Sequence, residues 1–388
     1  MSLPIKNVLD AIPSYEEKLR SLKELVLANA VLIGEIPSPT FGEADRIRFL
    51  NDRFTECGLS NAATDEAGNS IASISGTDGT SNILLVAHAD TVFSDAVDHA
   101  MAVGPDRIVG PGIADNTMGL AVLASLPTLL EKLDIKLKKN IILVGTTKSL
   151  GRGDLGGMRH FLQSNTQPIT GAVCVEGTRL GRLSYSSIGM LRGEIRVEIP
   201  EQTDWSKFGN TGAITVLNQV INKMLAIPLP SAPRTNLILG SVGSGTAFNT
   251  LPRTGYLQFE VRSEEDGMAA KLRETIIDIC NEISAEMRVK VSLNELARRK
   301  VGGIGYQHPL VKSVHAIMGK LGVTPNIGPS TGELSAMIDD GIEGVTLGIT
   351  HGENAHEFNE AAEIEPIFKG IAQLVATLVA IDNGILDE

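Results

Sequence analysis

Between residues 60 and 190, apolar runs of strand length alternate with segments of helical spacing. NSIASIS from Asn69 and NILLVAH from Asn82 are strand-like and join across the turn residues GTDGTS. From Leu120 the positions Leu123, Leu126, Leu130 and Leu133 recur at helical spacing, and NIILVGTT from Asn140 and TGAVCVEG from Thr170 are again continuous apolar runs. Upstream, two capping-box spacings predict helix starts. Ser14 with Glu17 precedes Leu19, Leu22, Leu25 and Val26; Thr40 with Glu43 precedes Ile47, Leu50 and Phe54, with Gly58 as the stop. Buried strands alternating with helices predict an α/β fold, a mixed sheet flanked by helices.

From about Ile188 to Val301 the rhythm changes. LRGEIRVEI alternates like a half-exposed strand, TGAITVLNQVINKML reads as a helix, and RTNLILGSV and TGYLQFEVRS as two strands. DGMAAKLRETIIDICNEISAEM is a long helix and VKVSLNEL a last strand. This β-α-β-β-α-β order is the split-βαβ, ferredoxin-like arrangement, with one solvated sheet face. HPLVKSVHAIMGKLG and PIFKGIAQLVATLVAI then return to helix, with GVTLGI a buried strand between them. We therefore expect a discontinuous α/β domain, 1–187 with 302–388, carrying an inserted α+β domain at 188–301.

Composition narrows the classes of partner. The chain has 388 residues, 34 Lys+Arg against 46 Asp+Glu, and a formal net charge of −12. That balance argues against nucleic acid and anionic membranes, both held mainly by Lys and Arg. Three scattered cysteines, Cys57, Cys174 and Cys280, form neither a disulfide framework nor a Cys-based zinc site. The N-terminus lacks the basic-then-apolar pattern of a signal peptide. The richest apolar run, Ile371 to Ile381, is short and broken by Gln373 and Thr377. A cytoplasmic protein is expected.

Candidate chemistry sits at strand ends. ILLVAHADTVF ends an apolar strand in His88, with Asp90 two residues on and able to hold one imidazole nitrogen while the other faces a metal. GPGIADNTMGLAVL puts Asp115 at the mouth of a helix, where an N-cap role alone would account for it. VCVEG ends in Glu176, and THGENAHEFNE offers His351 and His356 in a loop. Histidines and acids at neighbouring strand ends are what a zinc site needs.

HADTV, GPGIADNTMG, GRGDLGGMRHFL, FNTLP, FEVRSEED and NAHEFNE, in this order, resemble the co-catalytic zinc peptidase family of carboxypeptidase G, aminoacylase-1, succinyl-diaminopimelate desuccinylase and the carnosinases. The likeness covers nearly the whole chain. It implies hydrolysis of a peptide or N-acyl amide bond in a small substrate, with two zinc ions bridged by Asp115. One ion would also take His88 and Glu176, and the other His356 and a glutamate. It further implies a cis Asp115–Asn116 bond, substrate contacts from Asn249 and Arg262, and a homodimer through the inserted domain.

The sequence departs from that pattern at three places. The family's two adjacent glutamates, general base and metal ligand, fall on Ser149 and Leu150 when the chains are aligned on GDLGGMR. Serine is no base near pH 7, and leucine cannot bind zinc. The family's oxyanion histidine falls on Thr203. A base supplies about 10²–10⁴ in rate and an oxyanion donor about 10²–10³. One zinc ion at His88, Asp115, Glu176 and His356 is therefore expected rather than two, with the family's hydrolysis lost or severely reduced. The alternatives are an active enzyme using a substitute carboxylate (Asp154, Glu333 and Glu353 being the acids to inspect) or a non-catalytic binding or scaffold homologue. A serine hydrolase built on Ser149 and Lys148 lacks both a nucleophile elbow and an oxyanion loop.

Overall fold

The computed structural model describes residues 3–201 and 212–386. The chain divides into two units, Met1–Ser187 with Gly302–Glu388, and Ile188–Val301. In the larger unit eight strands form one mixed sheet: β1 (Ser60–Thr64), β2 (Ser70–Ile74), β3 (Asn82–His88), β4 (Asn140–Thr146), β5 (Ile169–Glu176), β6 (Arg182–Ser184), β7 (Asn326–Ile327) and β8 (Gly344–Gly348). Their spatial order is β1-β2-β4-β3-β5-β8-β6-β7. The central strands β4, β3, β5 and β8 are mutually parallel, so their carboxyl ends lie side by side.

Strand periodicity explains both faces. In β3, Ile83, Leu85 and Ala87 join the main core against the helices Met118–Leu133 and Ile367–Asp382, while Leu84 and Val86 join a second core with Leu155, Met158, Phe161, Leu334 and Met337. Both faces are covered, which is why β3 is apolar almost throughout rather than alternating. The segment Ile113–Leu133 is long and apolar enough to cross a membrane, unlike the shorter run singled out from the sequence, but 83% of its most apolar window is buried inside the fold. It is a core helix here.

The first predicted helix start is displaced. Helix α1 spans Leu3–Arg20 with Pro13 inside it, so Ser14 lies in mid-helix, and a second helix, α2 (Lys23–Gly34), follows after a break. The buried Ile5, Val8, Ile12 and Leu19 are the helical stripe that sets the true extent of α1. At α3 (Ala44–Glu56) the helix starts where expected, without a capping box. The Thr40 hydroxyl donates to Asp90 Oδ2 at 2.8 Å instead, and Glu43 Oε1 accepts the backbone N–H groups of Phe41 and Lys148. These residues support the site rather than the helix end.

In the smaller unit the strands Gly189–Glu198, Thr235–Ser244, Thr254–Ser263 and Lys290–Arg299 form an antiparallel sheet, Thr235–Ser244 lying at one edge and Gly189–Glu198 inside. The helices Ala213–Leu225 and Met268–Met287 share a core with Leu191, Ile195, Leu257, Phe259 and Val261.

Candidate metal centre

Register brings the strand ends together. His88 closes β3 opposite Thr146 of β4, and Glu176 closes β5 opposite Gly348 of β8. His88 continues the parity of Leu84 and Val86, Thr146 that of Ile142 and Val144, and Glu176 that of Ala172 and Cys174. All three thus stand on the side of the sheet that carries the helix Glu333–Asp339. Asp115 arrives from a non-helical stretch ahead of the helix Met118–Leu133, through a cis Asp115–Asn116 bond, as the family resemblance implies. Asn116 Nδ2 donates to the Val175 carbonyl at 2.7 Å, tying this stretch to β5. Gly177 permits the approach, since a Cβ there would stand 2.5 Å from the Ala114 carbonyl oxygen.

Among the described residues, one group of potential ligand atoms lies close enough for a metal ion: His88, Asp115 and Glu176, all within 4.8 Å of one another. His88 Nε2 is 2.9 Å from Asp115 Oδ1, and His356 Nε2 is 2.7 Å from Asp115 Oδ2. The two carboxylate oxygens thus each face a histidine. An imidazole with two carboxylates suits zinc. The donor set fits one ion at His88, Asp115 and Glu176. For a second ion, Asp115 and His356 are the donors at hand, and Leu150, on which the resemblance places the remaining ligand, has no donor atom in its side chain.

Asp90 faces His88 Nδ1 with both its backbone carbonyl and its carboxylate. His88 Nδ1 lies 3.0 Å from the Asp90 backbone carbonyl and 3.5 Å from its Oδ1. The carbonyl accepts the Nδ1 proton and so leaves Nε2 facing Asp115. The Asp90 carboxylate, wholly buried, also accepts the backbone N–H groups of Ser149 and Leu150 and the Thr40 hydroxyl. It pins the turn that in the resembled family carries the two glutamates. On that turn Ser149 Oγ is 3.3 Å from Thr146 Oγ1, which in turn donates to Glu333 Oε1 at 3.3 Å.

Charge is concentrated here. Burial works to lower His88, but its bond to Asp115 and the nearby acids outweigh that and hold it well above the ordinary histidine range. Burial would raise Asp115, yet the bonds from His356 and His88 hold it far below the usual carboxylate range. Burial raises Glu176, with Arg182 opposing; Arg182 Nη1 stands 3.4 Å from Glu176 Oε1. His356 is raised by its bond to Asp115. Its loop is held by Glu360, a fully buried carboxylate that accepts the backbone N–H groups of His356 at 2.9 Å and Ala114 at 3.3 Å and is raised by burial to about 7. Pairing of Ala361–Glu363 with Arg107–Val109 ties the same loop to the approach to Asp115.

The remaining sequence candidates separate. Glu333, at the start of its helix, is buried and its charge bears on both His88 and Glu176. Glu353 is exposed and paired with Arg107, and His351 is exposed outside the ligand group. The Asp154 carbonyl receives Arg159 Nε. In the smaller unit Asn249 is exposed, and the half-exposed Arg262 is paired with Glu260. Thr203 lies outside the described residues. Sequence reasoning missed Arg46, Arg182 and Glu360. Arg46 is completely buried and donates to the Ile36 and Ala89 carbonyls, bracing the chain beside His88. Only the spacing of Glu360 after His356 offered a signal.

Strand-end imidazole and carboxylates on a mixed sheet make a candidate metal-binding scaffold. The sequence matches the model of peptidase family M20/M25/M40 over residues 84–380, and the chain belongs to that family. Among solved structures it is similar to a dipeptidase, Dug1p, of Saccharomyces cerevisiae (12% identity, 96% of this chain and 98% of that one, TM-score 0.77). It is also similar to the aminopeptidase PepT of Bacillus cereus (19% identity, 92% and 98%, TM-score 0.72) and to a dinuclear metal-binding M20 peptidase of Bacillus subtilis (15%, 93% and 98%, TM-score 0.65). No curated protein matches the sequence.

Proposed function

We propose that the protein holds one zinc ion at His88, Asp115 and Glu176, with His356 beside it, and binds a small peptide or N-acyl amino acid whose amide bond it hydrolyses slowly at best. The observation that carries this reading is the turn after β4, where Ser149 and Leu150 stand and no carboxylate projects. When bound, the metal would supply Lewis-acid polarisation of a carbonyl or water. The chain's own residues do the rest. The Asp90 carbonyl fixes the His88 tautomer, Asp115 presents one oxygen to each histidine, and the Ser149 hydroxyl donates to or accepts from a ligand oxygen without taking a proton away. Arg262, Asn249 and Thr203 are the proposed ligand contacts of the smaller unit, the guanidinium suiting a carboxylate. A homodimer through residues 188–301 accompanies the reading, with no nucleic-acid or membrane partner and a cytoplasmic setting.

One observation favours a second reading. Glu333 is buried beside the ligand group and linked through Thr146 to Ser149, so it is the carboxylate best placed to substitute as base. The experiment compares the wild type with Ser149→Glu/Leu150→Glu and Glu333→Gln on a panel of dipeptides and N-acyl amino acids. The first reading expects the double variant to gain about 10²-fold or more, the lower range of a restored base, and Glu333→Gln to change little. Wild-type turnover at an enzymatic rate of about 10 s⁻¹, abolished by Glu333→Gln, would establish the second.

A further inference from the structure

Beside the candidate metal centre lies a cavity of about 550 Å³ lined by Val92, Phe93, His356, Glu357, Phe358 and Asn359. Its volume is that of a small-molecule pocket. His356 belongs to both places: it lines the cavity, and its Nε2 bonds Asp115. His356 thus links the cavity to Asp115.

Its walls are unusual for a protein surface. Phe358 is 67% exposed and Val92 52% exposed, while Phe93 is buried behind them at 6%. The Phe93 and Phe358 rings sit 5.6 Å apart between centroids, tilted by 43°, within the range of favourable aromatic pairs. Phe358 does not hang from a loose loop. Its segment is closed at its base by pairing of Gly352–Glu353 with Ala361–Ala362, and is held inside by the two backbone bonds to Glu360. A rigid frame thus keeps a large apolar ring in water next to a candidate reaction centre. Among the described residues neither Lys nor Arg lines the cavity, and Glu357 does, which disfavours an acidic side chain.

We propose that Val92, Phe93 and Phe358 form a subsite that receives an apolar, preferably aromatic, side chain of the ligand. The inference rests on the reading that the ligand lies across the metal centre. It adds the side-chain class, which that reading leaves open. Phe93 and Val92 follow directly on the His88-Ala-Asp90-Thr91 segment, and Phe358 on His356, so the groups that position the metal also position the subsite.

The test uses zinc-loaded full-length protein and calorimetric titration with N-acetyl-L-phenylalanine, N-acetyl-L-glutamate and N-acetylglycine. Burial of a benzyl group predicts binding of the phenylalanine derivative about tenfold or more tighter than the glycine one, with the glutamate derivative no tighter than glycine. Phe358→Ala, an exposed position, should remove most of that preference, leave N-acetylglycine within about twofold, and leave zinc content unchanged; Phe358→Leu should retain part of the preference. Equal affinities in the wild type, or an equal loss for all three probes, would overturn the subsite. So would a change of sedimentation coefficient in Phe358→Ala, which would mark the face as a contact between copies. Zinc analysis of the same samples separates the two ideas. Aromatic preference without bound zinc would sink the metal reading alone, and bound zinc without the preference would sink the subsite alone.

Discussion

Replacing Glu360 with glutamine tests how the His356 loop is held. Glu360 is fully buried, accepts two backbone N–H bonds, and is raised from 4.5 to about 7 by burial. A carboxyl that holds its proton more tightly when folded takes up protons on folding between those values. Its contribution to stability is therefore present below pH 4.5 and is lost as pH rises to about 7. Moving from 4.5 to about 7 corresponds to about 3.5 kcal/mol in full, of which about 3 kcal/mol is lost between pH 4.5 and 7.5. Glutamine cannot ionise, so Glu360→Gln removes this pH dependence. Its amide keeps an oxygen for the shorter bond to His356 and turns its NH₂ toward Ala114 N–H, at a pH-independent cost of about 1–3 kcal/mol. His88 and His356, both raised, add a further fall above pH 6.5 in both proteins, so the comparison is between slopes. Urea unfolding of the metal-free protein from pH 4.5 to 7.5 should show the wild type losing about 3 kcal/mol more than the variant across the window. Parallel curves would refute the account of Glu360 as a buried acid that resists ionising.

Other outcomes follow from the same geometry. Arg182→Gln removes the guanidinium 3.4 Å from Glu176 and leaves a half-buried carboxylate without its cation in the metal-free protein. Zinc affinity by chelator competition at pH 8 should tighten by about tenfold, or about 1.4 kcal/mol, and a weaker affinity would contradict the competition. Among the thiols, Cys280 is raised by burial to about 11 and Cys174 is raised and fully buried, whereas Cys57 is partly exposed. Thiolate-selective labelling of the native protein at pH 8 should modify Cys57 alone, with the other two reacting only on unfolding; fast labelling of Cys174 would contradict the burial.

Much of the site was legible because strand ends and periodicity carry it. His88 and Glu176 close apolar strands, and a parallel sheet aligns such ends without further instruction. The change of rhythm at Ile188 and Val301 was visible because a sheet with one wet face alternates and one covered on both faces does not. The support around the site was not legible. Thr40 and Glu43 have capping-box spacing yet bond to Asp90 and to the turn at Lys148, because those tertiary partners lie within reach and outcompete the helix end. Ser14 reads as a helix start only if the apolar stripe from Ile5 is overlooked. Arg46, Arg182 and Glu360 are charged residues whose burial depends on neighbours distant in sequence, and a buried charge looks like a surface charge until the partners are placed.

The central claim is that the turn at Ser149 and Leu150 carries no metal ligand, leaving room for one firmly held ion. Metal analysis of protein loaded with excess zinc and dialysed exhaustively measures this directly. About one zinc ion per chain, lost on mutation of His88 to alanine and rising toward two in Ser149→Glu/Leu150→Glu, is the result expected. Two tightly held ions in the unaltered protein would contradict it.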